Sequence, residues 1–437
     1  RLMRSDNSLA GKPATSVILQ TPVLFHFLLL FTIFPYLSLV PLGTDTQPYA
    51  LLLGIAISVI ALFKTGSIPR LFASGFYLIG VAFAVFAISG RDANGMRSLA
   101  NYLSFFAIGL GTYHAEKAYP GLLLKWVKVG VSVWLAVGLA QALTGDAVVG
   151  WLLPAVRGLG VRGRGVVGLS PEPTHYGLMV ALMLLATGVG YYSSELSKKQ
   201  FHVYAGLLLF QVLLLSRSAV VLFLLLVTLG ARFAVYRSRS YLQIVVRGLI
   251  FLAALYAVGG AAVAVLRSMG LSSRSLDLLA TVFQNPWLLI TVDESGSARV
   301  ANIYFALEGF VRNLGFPGGY GTFAEYLDSS LSGRATIFAR VGLHDRIKSG
   351  YGAVLYELGL VGLVIPVTLN IALYRFFESV ASFRQKLHWV LLLNLTLFMA
   401  LPVATPLVGA LFGYLIQKVE GLRRRPLRES AYLDTAT

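Results

Sequence analysis

The sequence predicts an all-α, polytopic transmembrane helix bundle of about twelve spans with one large, partly helical loop on the side away from the cytoplasm. Three observations predict it. The chain is 57% hydrophobic and 13% charged over 437 residues, whereas a soluble domain is about a quarter charged. Apolar runs of about 17 residues or more, the length that a bilayer-crossing helix needs, recur along nearly the whole chain. The basic residues between these runs cluster on alternate loops, as cytoplasmic loops do. The net charge of +17 is therefore assigned to those loops and not to nucleic-acid binding. Cysteine is absent, which excludes disulfides and thiolate metal sites.

The elements follow in order. Run 18–40 is too long for a signal-peptide core and no small-residue cleavage site follows it, so a retained span is expected. Runs 48–63 and 71–89 are separated by Lys64 and Arg70, and runs 98–113 and 122–143 by Lys117. Lys198 and Lys199 divide 174–192 from 201–215. A tight turn, Ser216-Arg217-Ser218, divides 201–215 from 219–236. A single span there would put every later basic loop on the opposite side, so a hairpin of two spans is expected. Arg237 and Arg239 precede 245–266; Arg375, Arg384 and Lys386 divide 351–374 from 387–401; Lys418 and Arg423 follow 406–417. With Arg1, Arg4 and Lys12 in the cytoplasm, all these clusters share that side, and so do both termini. The expected division is a first bundle segment 1–266, a periplasmic loop 267–350, closing spans 351–418 and a cytoplasmic tail 419–437.

The opposite loops hold arginine almost to the exclusion of lysine. They carry Arg91, Arg97, Arg157, Arg162, Arg164, Arg217, Arg267, Arg274, Arg299, Arg312, Arg334, Arg340 and Arg346, with Lys348 as the single lysine. Arginine grips phosphate or carboxylate through a planar fork, so the set points to anion recognition. Snorkelling at outer headgroups is the bland alternative. A loop as long as 267–350 tends to be functional. Its centre, SARVANIYFALEGFVRNLGF, has helical spacing, with Val300, Ile303, Tyr304, Leu307 and Val311 on one face. NLGFPGGYG then ends the helix.

Individual residues carry the chemistry. In VRGRGVVGLSPEPTHYG, Ser170 or Glu172 can cap the helix that starts near Thr174, with Pro171 or Pro173 in its first turn. Glu172 can equally serve as a general base or acid beside Arg162 and Arg164. His175 reads as an interfacial side chain or a substrate contact. In LLLSRSAVVLF, Ser216 is expected to cap the next helix and Arg217 to lie in its first turn, where helix N–H groups and a guanidinium make an anion site. Arg312 has Glu308 four residues before it and is expected to pair locally; Arg299 has no such partner. His344 stands before the next span with Arg346 and Lys348 beside it, and a histidine can act as a base near neutral pH. Clusters at metal-ligand spacing, a Walker loop, a GxSxG elbow and a DxD motif are all missing from the sequence, so neither metal nor cofactor is expected.

LLLSRSAVVLFLLL resembles the arginine hairpin of bacterial O-antigen polymerases and O-antigen ligases. SARVANIYFALEGFVRNLGFPGGYGTF is similar to that superfamily's arginine, helix and Gly-rich segment, and HDRIKSGYGAVLYELGLVGLV to its histidine followed by a leucine- and glycine-rich span. GLSPEPTHYG resembles the glutamate-proline-serine segment of the polymerase branch, with threonine in place of serine. The resemblance implies a bacterial inner-membrane glycosyltransferase, with its active site on the periplasmic face, that uses undecaprenyl-pyrophosphate-linked oligosaccharides as donor and acceptor. It implies Arg217 and Arg299, with Arg162 and Arg164, on the pyrophosphate. It also implies Glu172 or His344 as the base, and His175, Arg340, Arg346 and Tyr320 as substrate contacts. The partners implied are that lipid-linked glycan, membrane lipid and a chain-length regulator protein. The glutamate-proline segment favours a polymerase; a ligase passing glycan to lipid A-core is the alternative. A lipid-linked glycan flippase is a third reading, although transporters more often place charges at mid-membrane between internal repeats. A non-catalytic scaffold for envelope assembly, with the arginines as headgroup anchors, is a fourth.

Overall fold

The computed structural model describes residues 22–37, 46–89, 91–145, 165–236, 238, 240–268, 280, 285, 287–291, 294–332, 347–380 and 383–424. Among these the regular elements are all helical. The first group is α1 (Pro22–Ile33), α2 (Tyr49–Thr65), α3 (Arg70–Ser89), α4 (Ala93–Ala118) and α5 (Leu122–Thr144). Then come α6 (Pro173–Tyr192) and α7 (Lys198–Phe210), which a π-helical turn, Gln211–Ser216, extends. α8 (Ala219–Val235) and α9 (Tyr241–Ser268) follow. A single turn, Leu288–Thr291, precedes α10 (Glu294–Arg312) and α11 (Phe323–Leu331). α12 (Gly350–Leu358) passes through a 3-10 turn, Gly359–Leu363, into α13 (Val364–Val380), α14 (Phe383–Met399) and α15 (Pro406–Arg424).

Among the described residues, six helical stretches are long and apolar enough to cross a membrane: Arg70–Ser89, Leu122–Thr144, Pro173–Tyr192, Lys198–Ser216, Tyr241–Val265 and Gly350–Val380. Burial grades them. The α6 window is 78% buried and that of α9 only 6%, so α6 is the axis of the bundle and α9 its rim. Small residues let the inner helices approach closely. A Cβ on Gly413 of α15 would overlap the Gly109 carbonyl of α4. Tyr113 Oη, further along α4, donates to Glu420 at 2.7 Å, so α4 and α15 run parallel. α6 runs with them, because Glu195, just past its end, meets Tyr414 and Lys418 on α15. α4, α6 and α15 therefore begin at one end of the bundle, the upper end, and finish at the lower end. There Lys418 lies 3.5 Å from Glu116 and also pairs with Glu195. Glu116 accepts from the N–H groups of Gly121 (2.9 Å) and Leu123 (2.6 Å). Each charge in this knot has partners, the condition under which a buried pair holds its elements together.

The expected span 351–374 falls within Gly350–Val380, a stretch long and apolar enough to cross a membrane, and it is bent: Gly359 takes a left-handed φ of +63°, and a 3-10 turn divides α12 from α13. A Cβ on Gly350 would overlap the Leu401 carbonyl in the α14–α15 turn. Glu357, near the other end of α12, accepts from Ser98 and Tyr102 on the early turns of α4. Both anchor points are at the upper end, so α12 lies across that end and α13 descends from it. α10 is the helix that the spacing in 297–316 predicts. Its buried face is Ala298, Ala301, Phe305 and Ala306, packed on Phe323, Leu327 and Tyr356. Tyr304 is 51% and Val311 66% exposed. The small residues win the interface because α12 comes so close: a Cβ on Gly309 would lie 2.6 Å from the Tyr356 ring.

Candidate functional site at the upper end of the bundle

The arginine hairpin is built by a change of helical pitch. Gln211–Ser216 winds as a π-helix, a form that concentrates at functional sites. Ser216 is still inside it and donates to the Val212 carbonyl at 3.2 Å. Arg217 then adopts a left-handed conformation with φ +47°, uncommon for a residue with a side chain. Its own N–H donates to Val212 O at 3.2 Å and its Nε to Leu214 O at 3.1 Å. Ser218, not Ser216, caps α8, accepting from Val221 N at 3.5 Å. Arg217 therefore precedes the cap and is outside the first turn, because the π-turn delays the break. The chain does reverse here. Gly177 near the start of α6 lies against Ser216, Ser218 and Val221. Tyr191 at the end of α6 stacks on Phe201 at the start of α7, and Gly188 meets Trp389 next to the His388–Arg232 contact that marks the end of α8.

The stretch leading into α6 is fastened to that turn. Val166 N donates to Leu215 O at 2.9 Å, and a Cβ on Gly165 would overlap the Ser216 carbonyl. From the other side Gln141 Oε1 on α5 accepts from Val167 N (3.0 Å) and Gly168 N (2.9 Å). The Tyr176 hydroxyl bridges Trp134 O and Gln211 Oε1. Glu172 occupies the N-cap position of α6 with Pro173 next, yet its side chain makes no capping hydrogen bond. Ser170 does not cap either; its hydroxyl donates to Val167 O and Glu172 O. The Glu172 carboxylate is 61% exposed and 3.8 Å from His175 Nδ1. His175 in turn packs edge-on to Tyr36.

α10 and the start of α12 are joined to each other near Arg299. Arg299 is only 7% exposed, on the closely packed face of α10. Arg312 sits at the other end of that helix and pairs with Glu308 at 2.6 Å. One turn beyond Arg299, fully buried Asn302 accepts from Lys348 N at 3.3 Å. Ser349 Oγ caps α12, accepting from Gly352 N at 2.9 Å. Lys348 is partly buried. Burial, then the Arg299 charge, pull its pKa below the ordinary lysine value, and Glu172 opposes them.

Tyr320 lies elsewhere: it is 2% exposed, stacked on Tyr102, with its hydroxyl donating to Ala82 O at 3.1 Å. The Gly-rich segment beside it is also committed to packing, since Gly318 N donates to Tyr356 O at 2.7 Å. Arg162, Arg164, Arg340, His344 and Arg346 lie outside the described residues. Among the described residues, no three His, Asp or Glu side chains gather as a metal site would require. Lys348, Gln141, Gln211 and Asn302 were not singled out by motif. Only Lys348 had a signal, as the single lysine among the outer arginines.

Among the described residues the fold is an all-helical bundle with stretches long and apolar enough to cross a membrane, and the Arg217 turn, Glu172 and the start of α12 lie at one end of it. No protein-family model and no curated protein matches the chain.

Proposed function

We propose that the chain polymerises lipid-linked glycan repeat units at the periplasmic face of the bacterial inner membrane, as a metal-independent glycosyltransferase. The observation that supports this reading is the packing of the Arg217 turn against the stretch that leads into Glu172, at the end of the bundle where α12 begins close to the α14–α15 turn. In this reading about twelve segments cross the membrane, the upper end faces the periplasm, and the lysine-rich lower end faces the cytoplasm. An acceptor sugar hydroxyl attacks the anomeric carbon of the donor. The bond from that carbon to the pyrophosphate oxygen breaks, and undecaprenyl pyrophosphate leaves with the electron pair. Arg217 and Arg299 neutralise the charge that develops on the departing oxygen, and fixed cations in a site poor in water do this without a metal. The hydroxyl proton passes to Glu172 or to His344.

The test is reconstitution with lipid-linked repeat units, followed by a gel of products. A ladder supports polymerisation. One-step transfer to lipid A-core makes the chain a ligase, and lipid movement without a new bond makes it a flippase.

A further inference from the structure

We propose that Gln211, through its hydrogen bond with Tyr176, is a positioning residue of this site: it sets where Arg217 stands relative to Glu172. The inference rests on the reading above, in which Arg217 and Glu172 act on one transfer, and adds to it two fully buried residues. Four observations carry it. Gln211 is the first residue of the π-helical turn, so its side chain marks the place where the pitch changes. Its amide reaches three helices. Nε2 donates to Val131 O on α5 (3.3 Å) and to Leu207 O one turn back on α7 (3.4 Å), and Oε1 accepts from the Tyr176 hydroxyl on α6 (3.0 Å). Tyr176 closes the first turn of α6, its N–H donating to the Glu172 carbonyl at 3.1 Å. The tyrosine has no room to move: its ring stacks on Trp134, and a Cβ on Gly138 would lie 2.7 Å from Tyr176 Oη and 3.1 Å from Leu215 in the π-turn.

A buried primary amide is costly unless its donors and its acceptor are used. Here both donors and the carbonyl oxygen have partners, so the side chain is held in one orientation. Packing alone does not call for it, since methionine fills much the same space with no polar group to satisfy. What the amide adds is register. An α-helix turns about 100° per residue, and a π-turn winds one more residue into the same run. The Arg217 N–H therefore bonds to Val212 O, five residues back, at 3.2 Å. Arg217 is thus one residue, or about 100°, out of step with an uninterrupted α-helix. With Gln211 pinned to α5 and α6, that offset is fixed against Glu172, four residues before Tyr176. A cation that must meet the departing oxygen while a base meets the attacking hydroxyl depends on such alignment, and a misplacement of about 1 Å can cost about 10²-fold.

The experiment reads geometry and rate separately. The chain has no cysteine, so nitroxide labels at Glu172→Cys and Leu214→Cys, both exposed positions, report one distance by pulsed electron spin resonance of the full chain in detergent. With Gln211 and Tyr176 intact the distribution is narrow. Gln211→Met shifts or broadens it, and so does Tyr176→Phe, which keeps the ring stack and guards against misfolding of the methionine variant. In the unlabelled chain, supplied with lipid-linked repeat units, Gln211→Met slows transfer by about 10²-fold and Tyr176→Phe by about tenfold, the worth of one hydrogen bond. In an Arg217→Lys background, Gln211→Met costs less than about threefold more, because residues that act as one unit are not additive. A purely structural role multiplies the two losses. An unchanged distance in both variants, or losses that multiply, overturns the proposal. If Arg217→Lys slows transfer but the losses multiply, only Gln211 is retired. If Gln211→Met moves the labels while Arg217→Lys leaves the product ladder unchanged, the role of Arg217 in transfer falls and the positioning role falls with it.

Discussion

Gly165 and Ser216 are in such close contact that a single methyl group on the glycine would overlap the serine carbonyl. Gly165 also has a φ of +99°, which side-chain-bearing residues rarely adopt. The loop that leads to Glu172 and the turn that carries Arg217 are thus one packed unit. Gly165→Ala is expected to insert normally but to lose most transfer activity, because the loop must lift away from the arginine turn. A fully active alanine variant would show that the two segments work independently. The measurement is product-ladder formation at matched membrane levels.

Gln141 fixes the same loop from α5. Its carbonyl oxygen serves two buried N–H groups, and an orphaned buried donor costs about 1–3 kcal/mol. Gln141→Leu should therefore lower the melting temperature of the detergent-solubilised protein and reduce transfer. Gln141→Glu keeps an acceptor at the same reach and should recover part of both. Equal melting temperatures for the leucine variant and the parent would refute this.

Arg217→Lys and Arg299→Lys should abolish most transfer while leaving insertion intact, since lysine keeps the charge but loses the two-pronged grip. Arg312→Lys should matter less, because its contact is Glu308 on the same helix and lysine can make that pair too. Full activity in all three lysine variants would turn the arginines into headgroup anchors.

Glu172→Gln tests the base. The carboxylate accepts no capping hydrogen bond, so folding and donor binding should be unaffected. Transfer should slow by about 10²–10⁴-fold if Glu172 takes the hydroxyl proton. His344→Gln is the matching variant: should it abolish transfer while Glu172→Gln does not, the proton goes to the histidine.

Reporter fusions after Lys198 and after Arg239 should both read cytoplasmic, because basic clusters flank the hairpin on both sides. Opposite readings at these points would undo the orientation given to the upper end.

The bundle was legible in the sequence because apolar length and basic clusters act locally along the chain. The Arg217 break, the extent of α10 and the Glu308–Arg312 pair were legible for the same reason. The cap at Ser218 was displaced because a π-turn adds a residue to the helix, and neither Ser216 nor Ser218 looks different from the other in a sequence. Which residues of α10 would be buried was not legible from helical spacing, because close approach to Tyr356 favours Ala298, Ala301 and Ala306 by size. Gln141 and Asn302 escaped notice because their partners are backbone groups far along the chain, which no residue spacing encodes.

α12 has a mechanical consequence. Tyr351, its second residue, donates to Asn394 on α14 at 2.8 Å, and Asn394 exchanges amide hydrogen bonds with Asn370 on α13. Glu357 fastens the far end of α12 to α4. α12 is thus a beam resting on two piers, with Lys348 at the pier formed by α14. If α4 and α14 move apart to admit a bulky lipid, the beam cannot stretch, and one of its two fastenings must slip. A slip at Asn394 would carry Lys348 away from Arg299; a slip at Glu357 would leave it in place. The relative strength of those two joints decides whether the entry of a lipid disturbs the cations it meets.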